Sequence, residues 1–303
     1  MTVLLSGAGG LIGRALADQL AGDGEEVVPL IRPGGSAHPG PSVPWDPEAG
    51  TIDRTALDRH GPFRAVVHLA GTGIGAGRWT TGRRTRIRDS RIRSTHLLAE
   101  VLPSLDPTPA VLVSASAVGY YGDRGSEVLT DESAPGVGFL ADLCREWEAG
   151  AVVAEGSLRV VRLRTGIVLA PHGGALAKQL PLFRLGLGGP LGDGRQYTSW
   201  ITLEDHLSVI RRAIDDNRLT GPVNAVAPTP VTNAELTRAL GRALHRPARL
   251  PVPRPFLELA LGRKMAREMV LASQRALPAR LVDLGHRFSQ PDIDGALGSL
   301  VGR

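Results

Sequence analysis

Short apolar runs alternate with amphipathic runs through the first half of the chain. Thr2 to Ser6, "TVLLS", is short, mostly apolar and followed by a glycine, which is typical of a buried strand. Further on, apolar residues recur with the spacing of one helix face, at Leu11, Ile12, Ala15, Leu16 and Leu20. The pattern predicts a strand, a tight turn and a helix that begins at Leu11.

The alternation continues to about residue 170. Further strands are predicted at Glu26 to Ile31, Ala65 to Gly71, Ala110 to Ser116 and the start of Leu158 to Leu169. Helical patterns at Thr80 to Leu102 and Phe139 to Glu155 separate them. The order predicts an α/β fold, a Rossmann-type doubly wound parallel sheet with helices on both faces. Such a sheet binds ligands beyond the carboxyl ends of its strands.

Three glycines lie on the predicted first turn. Gly7, Gly10 and Gly13 have the spacing G-x-x-G-x-x-G. The first would allow the turn, the second would let a pyrophosphate approach the backbone, and the third would let helix and strand pack closely. The helix offers unpaired N–H groups and a positive dipole end to phosphates. The turn predicts a dinucleotide site, and the alternative is a plain strand-to-helix turn.

The end of the second strand indicates which dinucleotide binds. An NAD site usually has an acid there to hold the ribose 2′-hydroxyl. Arg32 takes that place, and no acid follows until Asp46. A guanidinium suits a 2′-phosphate through paired hydrogen bonds, so the sequence favours NADP(H) over NAD(H). The alternative is a surface arginine that closes the strand.

The pattern changes after about Pro171. Phe183 to Gln196, "FRLGLGGPLGDGRQ", is rich in glycine, and short helical patterns with proline-rich joints follow it. We expect an NADP-binding Rossmann domain over residues 1–170 and a smaller α+β substrate and capping domain over residues 171–303. Segments near residues 196–230 follow this boundary in sequence but are candidates to belong to the first domain in space.

Composition adds limits. The 303 residues are 42% hydrophobic and 21% charged, with one cysteine, Cys144, and a net charge of +5. Without a long apolar run or a recognisable secretory signal, we expect a cytoplasmic protein that does not enter a membrane. Arginines, six of them in Gly82 to Arg93, stand among acids, so we expect no nucleic-acid partner. The expected partner is an unidentified small-molecule substrate, with the chain a monomer or homodimer.

Several motifs resemble the extended short-chain dehydrogenases/reductases, the NAD-dependent epimerase/dehydratase family. "SGAGGLIG", "VVHLAG" and "GDGRQYTSWITLEDHLSVI" are similar to that class's glycine, post-strand and C-terminal motifs. The resemblance is closer to an atypical subfamily of epimerase-like oxidoreductases of poorly known activity, which has its own C-terminal domain. Its marks here are "WDP", "RWT", "SR", "SAVGYYGDRG", "LRTGIVL" and "FRLGLGGPLGDG".

The resemblance implies a set of cofactor contacts. The matching positions are Gly7, Gly10, Leu11, Ile12 and Gly13, then Arg32, Leu69, Ala70, Gly71, Arg91 and Val168. The turn and Arg32 match contacts to the phosphates, Leu69 and Ala70 match the adenine and ribose side, and Val168 matches a contact near the nicotinamide. Core packing is the alternative for the apolar positions.

The usual catalytic pair of the superfamily, Tyr-x-x-x-Lys, is absent. The three tyrosines are Tyr120, Tyr121 and Tyr197, and none has a lysine four residues on. By the resemblance, Leu140 stands near the tyrosine position and Cys144 near the lysine position, and neither can move a proton in that way.

Three hydroxyls remain as catalytic candidates. Tyr121 and then Tyr120 are candidate proton donors. Ser116 is a candidate to orient the substrate, and the alternative is that Ala117 holds that position. The alternative is that both tyrosines pack beneath the second domain. His68 and Cys144 are expected to be buried core residues, and no histidine has a partner at metal spacing, so no metal is expected.

Two functions follow. The first is an NADP(H)-dependent epimerase/dehydratase-like oxidoreductase that acts on an unknown small molecule with a non-standard proton donor. The alternative is a non-catalytic NADP(H)-binding sensor or scaffold, with a cell-division-related role as one version.

Overall fold

The structure is a computed structural model that describes residues 1–35 and 40–302. Its strands are β1 (Thr2–Ser6), β2 (Glu26–Ile31), β3 (Val43–Asp46), β4 (Thr51–Ile52), β5 (Phe63–His68), β6 (Val111–Ala117), β7 (Val128–Leu129), β8 (Arg159–Thr165), β9 (Ile167–Ala170), β10 (Tyr197–Thr198), β11 (Trp200–Thr202), β12 (Gly221–Ala225), β13 (Val231–Thr232) and β14 (Arg275–Ala276). Its helices are α1 (Leu11–Gly22), α2 (Arg54–His60), α3 (Thr81–Val101), α4 (Phe139–Val152), α5 (Gly174–Arg184), α6 (Leu203–Asp215), α7 (Asn233–Ala243), α8 (Arg254–Leu261), α9 (Arg263–Met265), α10 (Ala279–Asp283) and α11 (Ile293–Val301). Two 3₁₀ turns (Leu102–Ser104 and Val118–Tyr121) and a π-helical turn (Ala266–Val270) complete the set.

The largest sheet has eight strands in the order β12-β8-β6-β5-β1-β2-β3-β4. All neighbours in it are parallel except β3 and β4, which are antiparallel. Strand order reverses about β1, because β2 and β5 lie on its two sides. This arrangement confirms the predicted doubly wound α/β fold, and it puts the carboxyl ends of β1, β2, β5, β6 and β8 on one edge.

Helices cover both faces of this sheet, and the alternation of side chains along β1 shows how. Val3 and Leu5 point to the face that α1 and α6 cover, where they pack in one core with Leu16 and Ile210. Leu4 points the other way into a second core, on the side of α3 and α4. All five side chains are almost wholly buried. Burial of each stabilises the fold by about 1.5–3 kcal/mol, so the two cores hold the sheet between the helix layers.

Segments beyond residue 171 complete the sheet. β12 pairs with β8 in parallel along its whole length, from Gly221 opposite Val161 to Ala225 opposite Thr165. α6 supplies Val209 to the core beneath β1, and α10 supplies Leu281. The large sheet therefore draws on both of the regions into which the sequence divides.

The remaining C-terminal segments form a separate core. Trp200, which is wholly buried, packs there with apolar side chains of α5, α7 and α11. The glycine-rich connection runs against residues 249–252, because a Cβ on Gly189 would lie 1.8 Å from the Leu250 carbonyl oxygen. No helix among the described residues is both long and apolar enough to cross a membrane.

One predicted strand limit was wrong, because the strand predicted to reach Gly71 ends at His68. The strand predicted at the start of Leu158 to Leu169 is β8, and β9 follows it after Gly166. A Cβ on Gly166 would lie 2.6 Å from the Ser199 carbonyl oxygen, so the chain bends where it meets the segment before β11. β9 then pairs with β11 in a small sheet of its own.

Candidate nucleotide-binding site

The first turn has the backbone that its glycines allow. Gly7 has φ +74°, a conformation that favours glycine, and its carbonyl oxygen accepts the Gly10 N–H at 3.0 Å. A Cβ on Gly7 would lie 2.8 Å from the carbonyl carbon of Leu69. The turn, residues 7–13, therefore lies directly against the segment that follows β5.

Gly10 and Gly13 differ in what surrounds them. A Cβ on Gly13 would lie 2.2 Å from the Gly7 carbonyl oxygen, so this position needs glycine for the helix to pack on the turn. A Cβ on Gly10 would meet only that same oxygen, at 3.3 Å. Gly10 is also the N-cap of α1, where no side chain caps the helix. The exposed amino end of α1 and the space at Gly10 fit a phosphate group.

Buried hydrogen bonds fix the segment after β5. The Ser6 hydroxyl accepts the N–H groups of Leu69 and Ala70 at 3.1 and 3.2 Å, so its proton goes to Nδ1 of His68, 2.6 Å away. His68 then donates from Nε2 toward Thr95, whose hydroxyl oxygen lies 3.0 Å away. Burial, and to a lesser degree the charge of Arg91, lowers the pKa of His68 to about 3. As expected, His68 is a buried core residue, and it stays neutral.

Leu11, Ile12 and Val168 lie on neighbouring elements at the same edge. A Cβ on Gly173, just before α5, would lie 2.8 Å from Cδ1 of Leu11. A Cβ on Gly174 would lie 3.3 Å from the Val168 carbonyl oxygen. Ile12 and the Val168 side chain are partly buried against the core beneath β1. These apolar residues have packing roles, whatever they contact in a ligand.

Arg32 is exposed immediately after the end of β2. Among residues 1–35 and 40–302, no ion pair involves its guanidinium group. Asp46, at the end of β3, instead accepts the N–H groups of Glu48 and Ala49. The residue that follows the carboxyl end of β2 is therefore a cation, and no carboxylate of β2 lies at that end.

Arg91 is a buried arginine without a carboxylate partner in the part of the chain described. Its Nη1 donates to the carbonyl oxygens of Thr72 and Ile87, and its guanidinium lies 5.0 Å from the centre of the Trp147 ring. Its Nε is buried and has no partner. Burial lowers the pKa of Arg91. Since a Cβ on Gly71 would lie 3.0 Å from its guanidinium carbon, Arg91 reaches the same edge of the sheet.

Ser116, expected to orient a substrate, is committed to a buried network. Its hydroxyl donates to Oε1 of Glu148 at 2.7 Å. Glu148 also forms a two-pronged ion pair with Arg164, at 2.8 and 2.9 Å. All three side chains are buried. With its proton given to Glu148, Ser116 is left to accept hydrogen bonds only, which argues against a donor role toward a substrate.

Tyr121, the first candidate proton donor, is wholly buried. Its hydroxyl lies 2.6 Å from Oδ1 of Asn224 and 2.9 Å from the Thr130 carbonyl oxygen, and it accepts from Arg164 at 3.0 Å. Burial raises its pKa to about 12, although Arg164 opposes the shift. This hydroxyl is enclosed by protein partners, which argues against Tyr121 as the proton donor.

Tyr120 is half-buried, and its ring lies 3.5 Å from the guanidinium carbon of Arg164. The ring borders a surface cavity of about 510 Å³ that Val152, Arg162 and Pro222 also line. Those residues lie at the end of α4, within β8 and near the start of β12. Tyr120 therefore borders a cavity beside β8 and β12, and no residue of the glycine turn is among those that line it.

Comparison with known proteins agrees with this geometry. The model of the NAD dependent epimerase/dehydratase family matches residues 3–225, and a domain of unknown function, DUF1731, matches residues 252–300. The chain belongs to the NAD dependent epimerase/dehydratase family. An epimerase family protein of Mycobacterium bovis is 42% identical over 299 residues, 98% of this chain and 96% of that protein.

Another relative in the family is the human epimerase family protein SDR39U1, 35% identical over 306 residues, 99% of this chain and all of that protein. A crystal structure of human SDR39U1 (isoform 2) with NADPH has a TM-score of 0.89 and 33% identity, and the match covers 99% of each chain. The resemblance that the motifs indicate is confirmed, including the separate C-terminal domain.

In this family member, Leu140 and Cys144 pack on the turn after β6. A Cβ on Gly119 would lie 3.3 Å from Cβ of Leu140 and 3.9 Å from Sγ of Cys144. Burial raises the pKa of the Cys144 thiol to about 12, so it is an inert buried group, as expected. Neither position offers a proton donor.

Sequence reasoning missed two groups of residues. Glu148 and Arg164 carry no local signal, because their pairing depends on α4 packing over β8. Glu268, in the DUF1731 region, was missed for the same reason: its Oε2 accepts the N–H of Leu140 at 3.0 Å across 128 residues of sequence.

Proposed function

We propose that this chain binds NADP(H) and uses it for an oxidoreductase or epimerase reaction on a small molecule. Family membership supports the general class, and the crystal structure of human SDR39U1 with NADPH supports the cofactor. The observation that supports it most is the edge that joins the glycine turn, the uncapped α1 and Arg32. When bound, NADP(H) would supply or accept a hydride at this edge.

The residues present fit such a group. The turn at Gly7 to Gly13 and the first N–H groups of α1 would hold the pyrophosphate. Arg32 would bind the 2′-phosphate, since it is exposed and no described acid pairs with it. Arg91, buried beside Gly71 with an unpartnered Nε, would bind an oxygen atom of the cofactor or substrate.

The cofactor preference is testable with purified, nucleotide-free protein. Arg32→Ala should weaken NADPH binding by about ten- to a hundredfold and leave NADH binding nearly unchanged, because a charged hydrogen bond contributes about 1.5–3 kcal/mol. Arg59→Ala, which removes an exposed arginine at the opposite end of the sheet, is the matched control. If Arg32→Ala weakened the binding of NADPH and NADH equally, or weakened neither, the assignment of the 2′-phosphate to Arg32 would be refuted.

A second function is that of a sensor or scaffold that binds NADP(H) without turnover. The surroundings of the candidate catalytic hydroxyls support it. The hydroxyls of Ser116 and Tyr121 are both committed to buried partners. NADPH oxidation measured against a panel of carbonyl compounds and nucleotide sugars separates the two. Turnover of any panel member favours the enzyme, and tight binding without turnover favours the sensor.

A further inference from the structure

A carboxylate from the C-terminal domain meets the amino end of α4. Glu268 lies in the π-helical turn Ala266–Val270, and its Oε2 accepts the Leu140 N–H at 3.0 Å. The helix has no capping side chain of its own, because its N-cap is Gly138. Gly138 has φ +114°, and a Cβ there would lie 3.0 Å from the same carboxylate oxygen. The glycine leaves the space that Glu268 occupies.

This carboxylate lies close to the carboxyl end of β6. Leu140, to which it bonds, packs on Gly119 just after that strand. Cys144 is one helical turn further, about 5 Å along the axis, and its Sγ would lie 3.9 Å from a Cβ on the same Gly119. Glu268 therefore bonds to the turn of α4 that packs just beyond the carboxyl end of β6.

The loop after β5, residues 71–80, packs against α5 and the π-helical turn. A Cβ on Gly75 in that loop would lie 3.8 Å from Cε of Met269 and 3.8 Å from Nζ of Lys178. Lys178, in α5, donates to the Gly75 carbonyl oxygen at 3.3 Å. The loop, α5 and the π-helical turn therefore meet beside the start of α4, to which Glu268 bonds.

The two carboxylate oxygens of Glu268 differ in their contacts. Oε2 holds the helix end, whereas Oε1 makes no hydrogen bond or ion pair within residues 1–35 and 40–302. The side chain is half-buried, so it is neither dispersed in solvent nor sealed in the core. A carboxyl group in this position can both give and take a proton.

We propose that Glu268 transfers the proton that accompanies hydride transfer, a role that rests on the proposed function. In reduction, the carbonyl carbon of the substrate takes a hydride, with both electrons, from NADPH. The carbonyl oxygen takes the proton of the Glu268 carboxyl group, and water then reprotonates the carboxylate. In oxidation, the carboxylate takes the hydroxyl proton as NADP⁺ takes the hydride. The C-terminal domain thereby contributes directly to the chemistry.

Two substitutions separate proton transfer from helix capping. Glu268→Gln keeps an oxygen that can accept the Leu140 N–H, but it cannot titrate. We expect it to keep the thermal midpoint and NADPH affinity of the wild type and to slow single-turnover NADPH oxidation about 10²–10⁴-fold. Glu268→Ala removes the cap as well, so it should lower the thermal midpoint and slow the reaction equally. The assay uses the panel compound that the wild type reduces fastest.

The pH profile gives a further check. Reduction uses a proton of the carboxyl group, so the wild-type rate of reduction should fall as pH rises. Oxidation of the product alcohol needs the carboxylate, so that rate should rise. Both dependences should disappear in Glu268→Gln.

A measurement independent of activity is carbodiimide labelling followed by mass spectrometry. Glu268 should be labelled in the free protein and protected when NADP⁺ and the product alcohol are bound. Labelling of Glu48, an exposed glutamate after β3, is the internal control and should not change.

The outcomes are distinct. A wild type that binds NADPH but reduces no panel compound refutes the proposed function, and this role with it. A wild type that turns over, with Glu268→Gln at the same rate and with the same pH profile, leaves the proposed function in place and refutes the role of Glu268. Labelling of Glu268 that bound ligands do not protect also refutes it.

Discussion

Acid should destabilise this protein well before its carboxylates are protonated, because two histidines are buried as neutral groups. Burial lowers the pKa of His68 to about 3 and that of His206 to about 4, whereas an imidazole in the unfolded chain titrates at about 6.5. Below pH 6.5 the unfolded chain therefore binds protons that the native protein does not, and the free energy of unfolding falls with pH.

The size of this loss follows from the difference between the pKa of each histidine in the unfolded chain and its pKa in the native protein. Each pH unit below 6.5 costs about 1.4 kcal/mol per histidine until the native pKa is reached. At pH 5 each imidazole therefore contributes a loss of about 2 kcal/mol relative to pH 7.5, or about 4 kcal/mol together. That is a large share of the 5–15 kcal/mol typical of a folded protein.

Urea unfolding of the nucleotide-free protein, followed by tryptophan fluorescence at pH 7.5 and pH 5, measures the loss. His206→Gln should be less stable than wild type at pH 7.5 but should lose about 2 kcal/mol less on acidification. His172→Gln, at an exposed histidine, is the matched control and should follow the wild type. A wild-type free energy that is the same at both pH values would refute the assignment of neutral buried imidazoles.

Three further substitutions test the glycine turn and Tyr121. Gly10→Val should abolish NADPH binding yet leave a folded protein, because a Cβ there meets only one oxygen. A Gly10→Val protein that binds NADPH normally would show that the turn holds no phosphate. Gly13→Ala should lower the thermal midpoint, since its Cβ would lie 2.2 Å from the Gly7 carbonyl oxygen. Tyr121→Phe should destabilise the protein by about 1–3 kcal/mol in urea unfolding, because it leaves Asn224 without a donor, while single-turnover NADPH oxidation stays at the wild-type rate. A slow reaction in a stably folded Tyr121→Phe protein would restore this tyrosine as the proton donor.

Local patterns predicted most of what lies in the sheet and its helices. β1 and β2 begin and end where the apolar runs do, and α3 and α4 start within a residue of their predicted limits. The structure of such segments is determined by side chains that are close in sequence, so the period of the apolar residues and the spacing of the glycines suffice to predict it. The turn at Gly7 is of the same kind, since the strand, the turn and the helix are contiguous.

Catalytic candidates were harder to predict, because their environment comes from distant segments. Tyr120 and Tyr121 are neighbours in sequence, yet their 3₁₀ turn directs one ring toward the surface and encloses the other. The partner of Tyr121, Asn224, comes from β12, more than 100 residues away in sequence. No pattern within the tyrosine segment could show which hydroxyl had a partner.

The position of β12 has a consequence for synthesis on the ribosome. A nascent chain that has emerged only to Thr165 can assemble the sheet from β4 to β8, but β8 is then an open edge with unpaired N–H and C=O groups. That edge stays unpaired until Gly221 to Ala225 emerges. At about 5–20 residues per second, the interval of some 60 residues lasts several seconds. During that time β8 is the strand most open to wrong pairing, so we expect chains truncated between β8 and β12 to aggregate, whereas chains that extend past α10 do not.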